Sequence, residues 1–237
     1  MTDQVSDSVQ AKIDANWRSV SDQVADACRA VGRSPDEVTI VGVTKYVDVP
    51  LTQALLRAGC RDLGENRPQV LWQKAEAMSD PTIRWHLIGH LQRNKSRRTI
   101  PLVHRLHSID TLRLAETVAQ QSGEAGQTTS CLLEVNVSGD EQKHGFRPAE
   151  IEKIVPDLIA LPNLKILGLM GMASFDQPNH DPAIDFAALR ELRDRLTVTT
   201  GLPLPELSMG MSGDFQAAIA EGSTCVRIGT RLFEGAR

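Results

Sequence analysis

The sequence predicts a closed (β/α)8 TIM barrel preceded by one extra helix. Three observations lead there. Eight short apolar segments read as strands, and helix-like stretches separate them. A length of 237 residues suits such a barrel. The turn after the first strand, Thr44-Lys45-Tyr46-Val47-Asp48, lacks the glycine fingerprint expected of the competing architecture, an open doubly wound sheet.

Residues 1–34 carry the extra helix. Ile13, Trp17, Val20, Val24, Ala27 and Val31 recur at spacings of three and four, one apolar stripe that Gly32 and Pro35 end. Strands are predicted at Val38–Thr44, Arg61–Gly64, Arg84–Ile88, Arg105–Ile109, Cys131–Val137, Lys165–Met170, Glu206–Met209 and Cys225–Ile228. Helices are predicted at Leu51–Ala58, Arg67–Met78, Gln92–Ile100, Thr111–Gln121, Pro148–Ala160, Ile184–Thr197 and Phe215–Ala220. No linker, repeat or low-complexity stretch divides the chain, so residues 1–237 are expected to form a single domain.

Composition excludes several classes. Apolar residues make up 41%, enough for a sizeable core, and the net charge of −4 argues against a nucleic-acid binder. The basic run Gln92–Arg98 reads first as a solvated helix face and second as a surface for a phosphate-rich or protein partner. Cys28, Cys60, Cys131 and Cys225 form no CxxC pair, which disfavours a zinc site and a disulfide framework. The polar, acidic start is no secretory signal, and no apolar run nears the roughly 18 residues of a membrane span. A cytoplasmic monomer with no membrane or nucleic-acid partner is expected. His86 and His90 are four apart but straddle a strand end, where that spacing does not align two ligands, so no metal site is expected.

Lys45 closes the first strand. At the rim of a core, desolvation would disfavour its charged form, and a neutral amine can attack an aldehyde to form a Schiff base. A solvated loop lysine is the alternative. Barrels commonly hold phosphate after strands seven and eight. Here those positions read Gly210-Met211-Ser212-Gly213-Asp214 and Gly229-Thr230-Arg231. Ser212 is expected to cap one helix, and Gly229 and Thr230 to open another turn beside it. Arg227 alternates with Val226 and Ile228, so it points into the barrel and needs a partner. Either Glu134 or a ligand's ring nitrogen or anion could serve. A flat ligand with an aldehyde at one end and a phosphate at the other would span these groups, and pyridoxal 5′-phosphate has that shape.

The motifs in order are Val43-Thr44-Lys45, Gly64-Glu65-Asn66, Trp85–Lys95, His107-Ser108-Ile109-Asp110, Glu134-Val135-Asn136-Val137 and Lys143-His144-Gly145, followed by Gly168–Met172, Leu207–Ser212 and Gly222–Thr230. With them the chain, from about Val38 to Arg237, resembles the pyridoxal-phosphate homeostasis proteins, one-domain relatives of the alanine racemase N-terminal barrel. The resemblance implies a fold-type III barrel with the cofactor covalently on Lys45. It also implies phosphate contacts from Ser212, Gly229 and Thr230, a ring contact from Asn66, and Arg227 facing the pyridine nitrogen. Ile88 and Met172 stand where they could pack near the cofactor or simply fill the core. Two departures are visible: Arg67-Pro68 follows Gly-Glu-Asn, and Glu234 stands near the end where a Phe-Gly junction is common.

Arginine at the ring disfavours a protonated pyridine, so the ring is a weaker electron sink. Racemases of this barrel type use a second base, a tyrosine from an added domain of a partner subunit. This chain's one tyrosine is Tyr46, beside the lysine. A carrier or buffer of the cofactor with little or no turnover is therefore expected, passing it to apo-enzymes. The rivals are a weakly active amino-acid racemase, a cofactor-free Schiff-base aldolase, and an interaction protein using the Arg93–Arg98 face.

Overall fold

The computed structural model describes residues 5–139, 144–174 and 180–236; Lys143 lies outside them. Ser6 accepts from the Val9 N–H and opens α1 (Asp7–Ala30), whose buried stripe is Ile13, Val20, Val24 and Cys28. Val31, expected in that stripe, is instead the C-cap and 43% exposed. α1 lies against the chain's end: Asn16 Nδ2 donates to the carbonyls of Leu232 and Glu234 at 3.2 and 3.0 Å.

Eight parallel strands follow: β1 (Thr39–Val43), β2 (Asp62–Glu65), β3 (Arg84–Leu87), β4 (Arg105–Ile109), β5 (Thr129–Glu134), β6 (Leu164–Met170), β7 (Glu206–Met211) and β8 (Cys225–Ile228). They close in sequence order, and β8 returns to β1 in the register Thr39↔Cys225 through Gly42↔Ile228. Closure rules out the open sheet. The helices α2 (Val49–Arg57), α3 (Pro68–Ala77), α4 (Arg93–Thr99), α5 (Leu112–Glu124), α6 (Pro148–Ile159), α7 (Pro182–Thr200) and α8 (Phe215–Ala220) alternate with the strands. Apolar strand residues such as Leu63, Leu87, Leu133, Leu207, Val226 and Ile228 form one core with helix residues such as Leu55, Leu71, Ile151 and Leu192.

The predicted elements differ from the observed ones mainly at their ends. β5 stops at Glu134, short of Val137, because the Asn136 N–H turns to the Phe146 carbonyl at 2.9 Å. α7 is longer than its apolar pattern, from an Asp181 cap to Gly201 at φ 67°. Arg67-Pro68 causes no disruption: Arg67 is extended at φ −122° and Pro68 opens α3. On α4, Arg97 pairs with Glu124 at 2.6 Å and Arg98 covers the Trp72 ring at 4.6 Å, so the basic run forms a surface helix face. Among the described residues no helix is long and apolar enough to cross a membrane.

Candidate functional site

A cavity of about 460 Å³ opens at the C-terminal ends of the strands, and Lys45, Asn66, Ser212, Arg227, Gly229 and Thr230 all line it. They come from the ends of β1, β2, β7 and β8, which closure makes near neighbours. Ile88 and Met172 form apolar wall in the same cavity.

Lys45 does not sit at a dry rim. Thr44 is the last buried residue of its segment, and Lys45 is exposed, with Nζ 4.9 Å from the Tyr46 ring centroid. The buried lysine is Lys74, which sequence reasoning missed. Its Nζ lies 2.5 Å from Glu65 Oε1 and donates to the Thr44 carbonyl at 2.8 Å. The Thr44 hydroxyl donates to the same Glu65 oxygen at 2.5 Å. Burial lowers the Lys74 pKa, and the Glu65 charge opposes that shift. Together these groups clamp the backbone one residue before Lys45.

On the next strands, Gly89 allows a close approach: a Cβ there would stand 2.4 Å from the Asn66 carbonyl oxygen. Gly210, at φ 94°, packs where a Cβ would meet Ala218 at 2.6 Å, and it turns the chain into Ser212. Ser212 is not a helix cap. α8 begins after Asp214, and the Ser212 hydroxyl instead accepts from the Gly229 N–H at 3.3 Å. That bond ties the loops after β7 and β8 together where a phosphate would be held. Thr230 begins a short 3-10 turn, Thr230–Phe233.

Arg227 is 4% exposed. Of its five N–H donors, three are used: two on Nη1 to the Ser208 carbonyl and hydroxyl at 2.7 Å each, and one on Nη2 to the Gly171 carbonyl at 3.0 Å. Glu134 is not its ion-pair partner among the described residues; neutral oxygens take those donors. Glu134 is itself buried, with Oε2 unpartnered. Burial first, and then the nearby Asp110 charge, push its carboxyl up to about 7, against the pull of Arg227.

The histidines diverge. His86 turns into the barrel, bonded to His107 and Asp62 at 2.9 Å each. His90 stands at the mouth, 2.7 Å from Asp110 and stacked on His144 at 4.3 Å. His90, Asp110 and His144 bring possible ligand atoms within 4.8 Å of one another, a grouping the sequence reading missed. The hydrogen bond and the ring stack already engage those groups.

The family model for the alanine racemase N-terminal domain matches residues 10–236. The pyridoxal phosphate homeostasis protein of Aquifex aeolicus is 38% identical over 90% of this chain and 94% of its own. The chain belongs to the pyridoxal phosphate homeostasis protein family. Solved structures agree with that membership. An unknown protein from Bifidobacterium adolescentis superposes with a TM-score of 0.89 at 36% identity, covering 98% of both chains. PipY of Synechococcus elongatus, a structure with PLP bound, gives 0.80 at 34% identity over 89% of this chain and 99% of that one. The chain is a closed barrel that matches the alanine racemase N-terminal domain model.

Proposed function

We propose that this protein binds pyridoxal 5′-phosphate as a Schiff base through Lys45 Nζ and serves the cell's supply of that cofactor as a carrier or buffer. One observation carries the reading. A single cavity presents an amine, a hydrogen-bonded junction of the loops after β7 and β8, and an arginine of whose five N–H donors bonds to the described residues take three. The fit to the cofactor is chemical. Arginine only donates, so it suits a ring nitrogen that keeps its lone pair. Ser212 and Thr230 offer hydroxyl donors to a dianion, beside the Gly229 N–H that here bonds Ser212 Oγ. Asn66 and the Gly89 turn bound the ring from the side of β2 and β3. The PLP bound to PipY, a relative of this barrel, supports the same reading.

When bound, the cofactor supplies a reactive aldehyde and a conjugated ring. The protein's residues hold both ends and temper that chemistry. The permanent charge of Arg227 disfavours protonation of the ring nitrogen. Turnover is therefore slow, and the recipients are apo-enzymes that need the same cofactor. Titrating the protein with pyridoxal phosphate should produce a visible absorption band. Borohydride reduction and peptide mapping should then place the label on Lys45. No band, or a label confined to another lysine, sinks the reading.

A further inference from the structure

A polar chain runs through the interior of this barrel, where packed aliphatic layers are usual. Asp62 opens β2 at the N-terminal end of the barrel and lines a polar cavity of about 490 Å³ there with Arg84, His104, Arg105 and Glu206. From Asp62 Oδ1 the contacts run to His86 Nε2, from His86 Nδ1 to His107 Nε2, and from His107 Nδ1 to Ser208 Oγ, each at 2.9 Å. Ser208 Oγ then meets Arg227 Nη1 at 2.7 Å. His86, His107 and Ser208 are 3%, 1% and 0% exposed.

The direction of every bond follows from the donors available. Arg84 reaches both Asp62 oxygens, at 2.7 and 2.5 Å. Burial alone would raise the Asp62 carboxyl, but the bonds from His86 and Arg84 bring it down to about 2. It is therefore ionised and only accepts, so His86 Nε2 carries a proton. Burial disfavours the charged form of both imidazoles, most strongly of His107, and a chain with both rings neutral satisfies every contact. Arg84, Arg105, Arg227 and His104 around them all oppose a further positive charge, and only Asp62 favours one. The buried thiol of Cys225, which also meets the Ser208 hydroxyl, adds no charge, because burial lifts it to about 11. A neutral His86 that donates from Nε2 must accept at Nδ1, so His107 donates from Nε2 and accepts at Nδ1. Ser208 must then donate to His107 and accept from Arg227. Arginine can only donate, so the two ends of the chain agree.

We propose that this one-way chain through His86, His107 and Ser208 ties Arg227 to the Asp62–Arg84 ion pair across the barrel, and that it holds the guanidinium in place against the cofactor ring. Ser208, His107, His86 and Asp62 are positioning residues, and the part that concerns the ring rests on the cofactor reading above. Arg227 has no carboxylate in ion-pair contact among the described residues; Glu134 and Asp214 favour its charge at longer range, and the chain fixes its Nη1 through Ser208.

Nitrogen-labelled histidine in the full chain without cofactor tests the assignment by NMR. His86 and His107 should both carry the proton on Nε2 and titrate below a free imidazole. A proton on Nδ1 of His86, or titration of either ring at or above the free-imidazole range, overturns the proposal. Ser208→Ala should leave the His107 tautomer, which His86 sets, unchanged and weaken pyridoxal phosphate retention by about tenfold or more, as expected for a lost bond to a charged group. It should also shift the pH profile of the visible band. A folded Ser208→Ala variant with unchanged retention also overturns it. If the tautomers are as assigned but wild type binds no pyridoxal phosphate, the chain stands and the cofactor reading fails.

Discussion

Lys74 Nζ lies 2.5 Å from Glu65 Oε1, and the pair is buried, with side chains 4% and 0% exposed. Both partners also bond Thr44, whose carbonyl and hydroxyl end the first strand immediately before Lys45. The attraction within the pair works against the cost of burying two charges, and Glu65 Oε2 is left without a partner among the described residues; what the pair adds is positional definition of the backbone that carries the lysine.

Lys74→Met leaves Glu65 charged and buried without its cation. It should cost about 3–5 kcal/mol of stability, measured by denaturant unfolding. Lys74→Met with Glu65→Leu should recover most of that loss, because no lone charge remains. A single variant as stable as wild type would show that the pair has no such role.

Lys45→Ala should leave the fold intact, since the side chain is exposed; a change within about 0.5 kcal/mol is expected by thermal melting. The visible band with pyridoxal phosphate should vanish. A band of wild-type strength in this variant would move the attachment elsewhere.

Arg227→Glu replaces a pure donor with a carboxylate that accepts a hydrogen bond from a protonated ring nitrogen and so favours that protonation. The absorption of the loaded protein should shift, and weak racemase or transaminase side activity should rise. An unchanged spectrum and unchanged activity would remove Arg227 from the ring. Interconversion of alanine enantiomers by wild type at enzyme-like rates would favour the racemase reading.

Glu134 gives a pH dependence of definite sign. Its folded pKa, about 7, lies above the ordinary carboxylate value, so the folded state binds the extra proton. Stability from this group is therefore fully present below the unfolded value of about 4.3 and falls as pH rises from there through 7. Glu134→Gln should be more stable than wild type at pH 8, by on the order of 1–3 kcal/mol, with the gap closing towards pH 4. Equal stability of the two proteins at both pH values would show that the carboxyl is not held in this state.

The barrel was legible because strand and helix periods differ and eight alternations leave few topologies. Lys45, Ser212, Gly229 and Thr230 were legible as positions because strand ends and turn glycines mark themselves. The Lys74–Glu65 clamp was not, because Lys74 sits in a helix whose other polar residues face water. The Asp62–Arg227 chain left one faint trace. His86 and His107 each stand within an apolar strand, a place where a polar residue must find a partner. Which partner it finds is a matter of register between strands, and a single strand's sequence does not contain it.

By itself the sequence determined which segments become strands, that they alternate with helices, and which residues end the strands at the mouth; local propensity and hydrophobic period decide these. The tertiary structure decided the register in which β8 meets β1, Thr39↔Cys225 through Gly42↔Ile228, and with it the cavity that Arg227 and Lys45 share. It alone exposed the lysine, moved Ser212 from a helix cap to a bridge between loops, and gave Arg227 neutral oxygens instead of Glu134. Those outcomes depend on distances between residues far apart in the chain, set only when the barrel closes and its interior must satisfy every buried donor and acceptor.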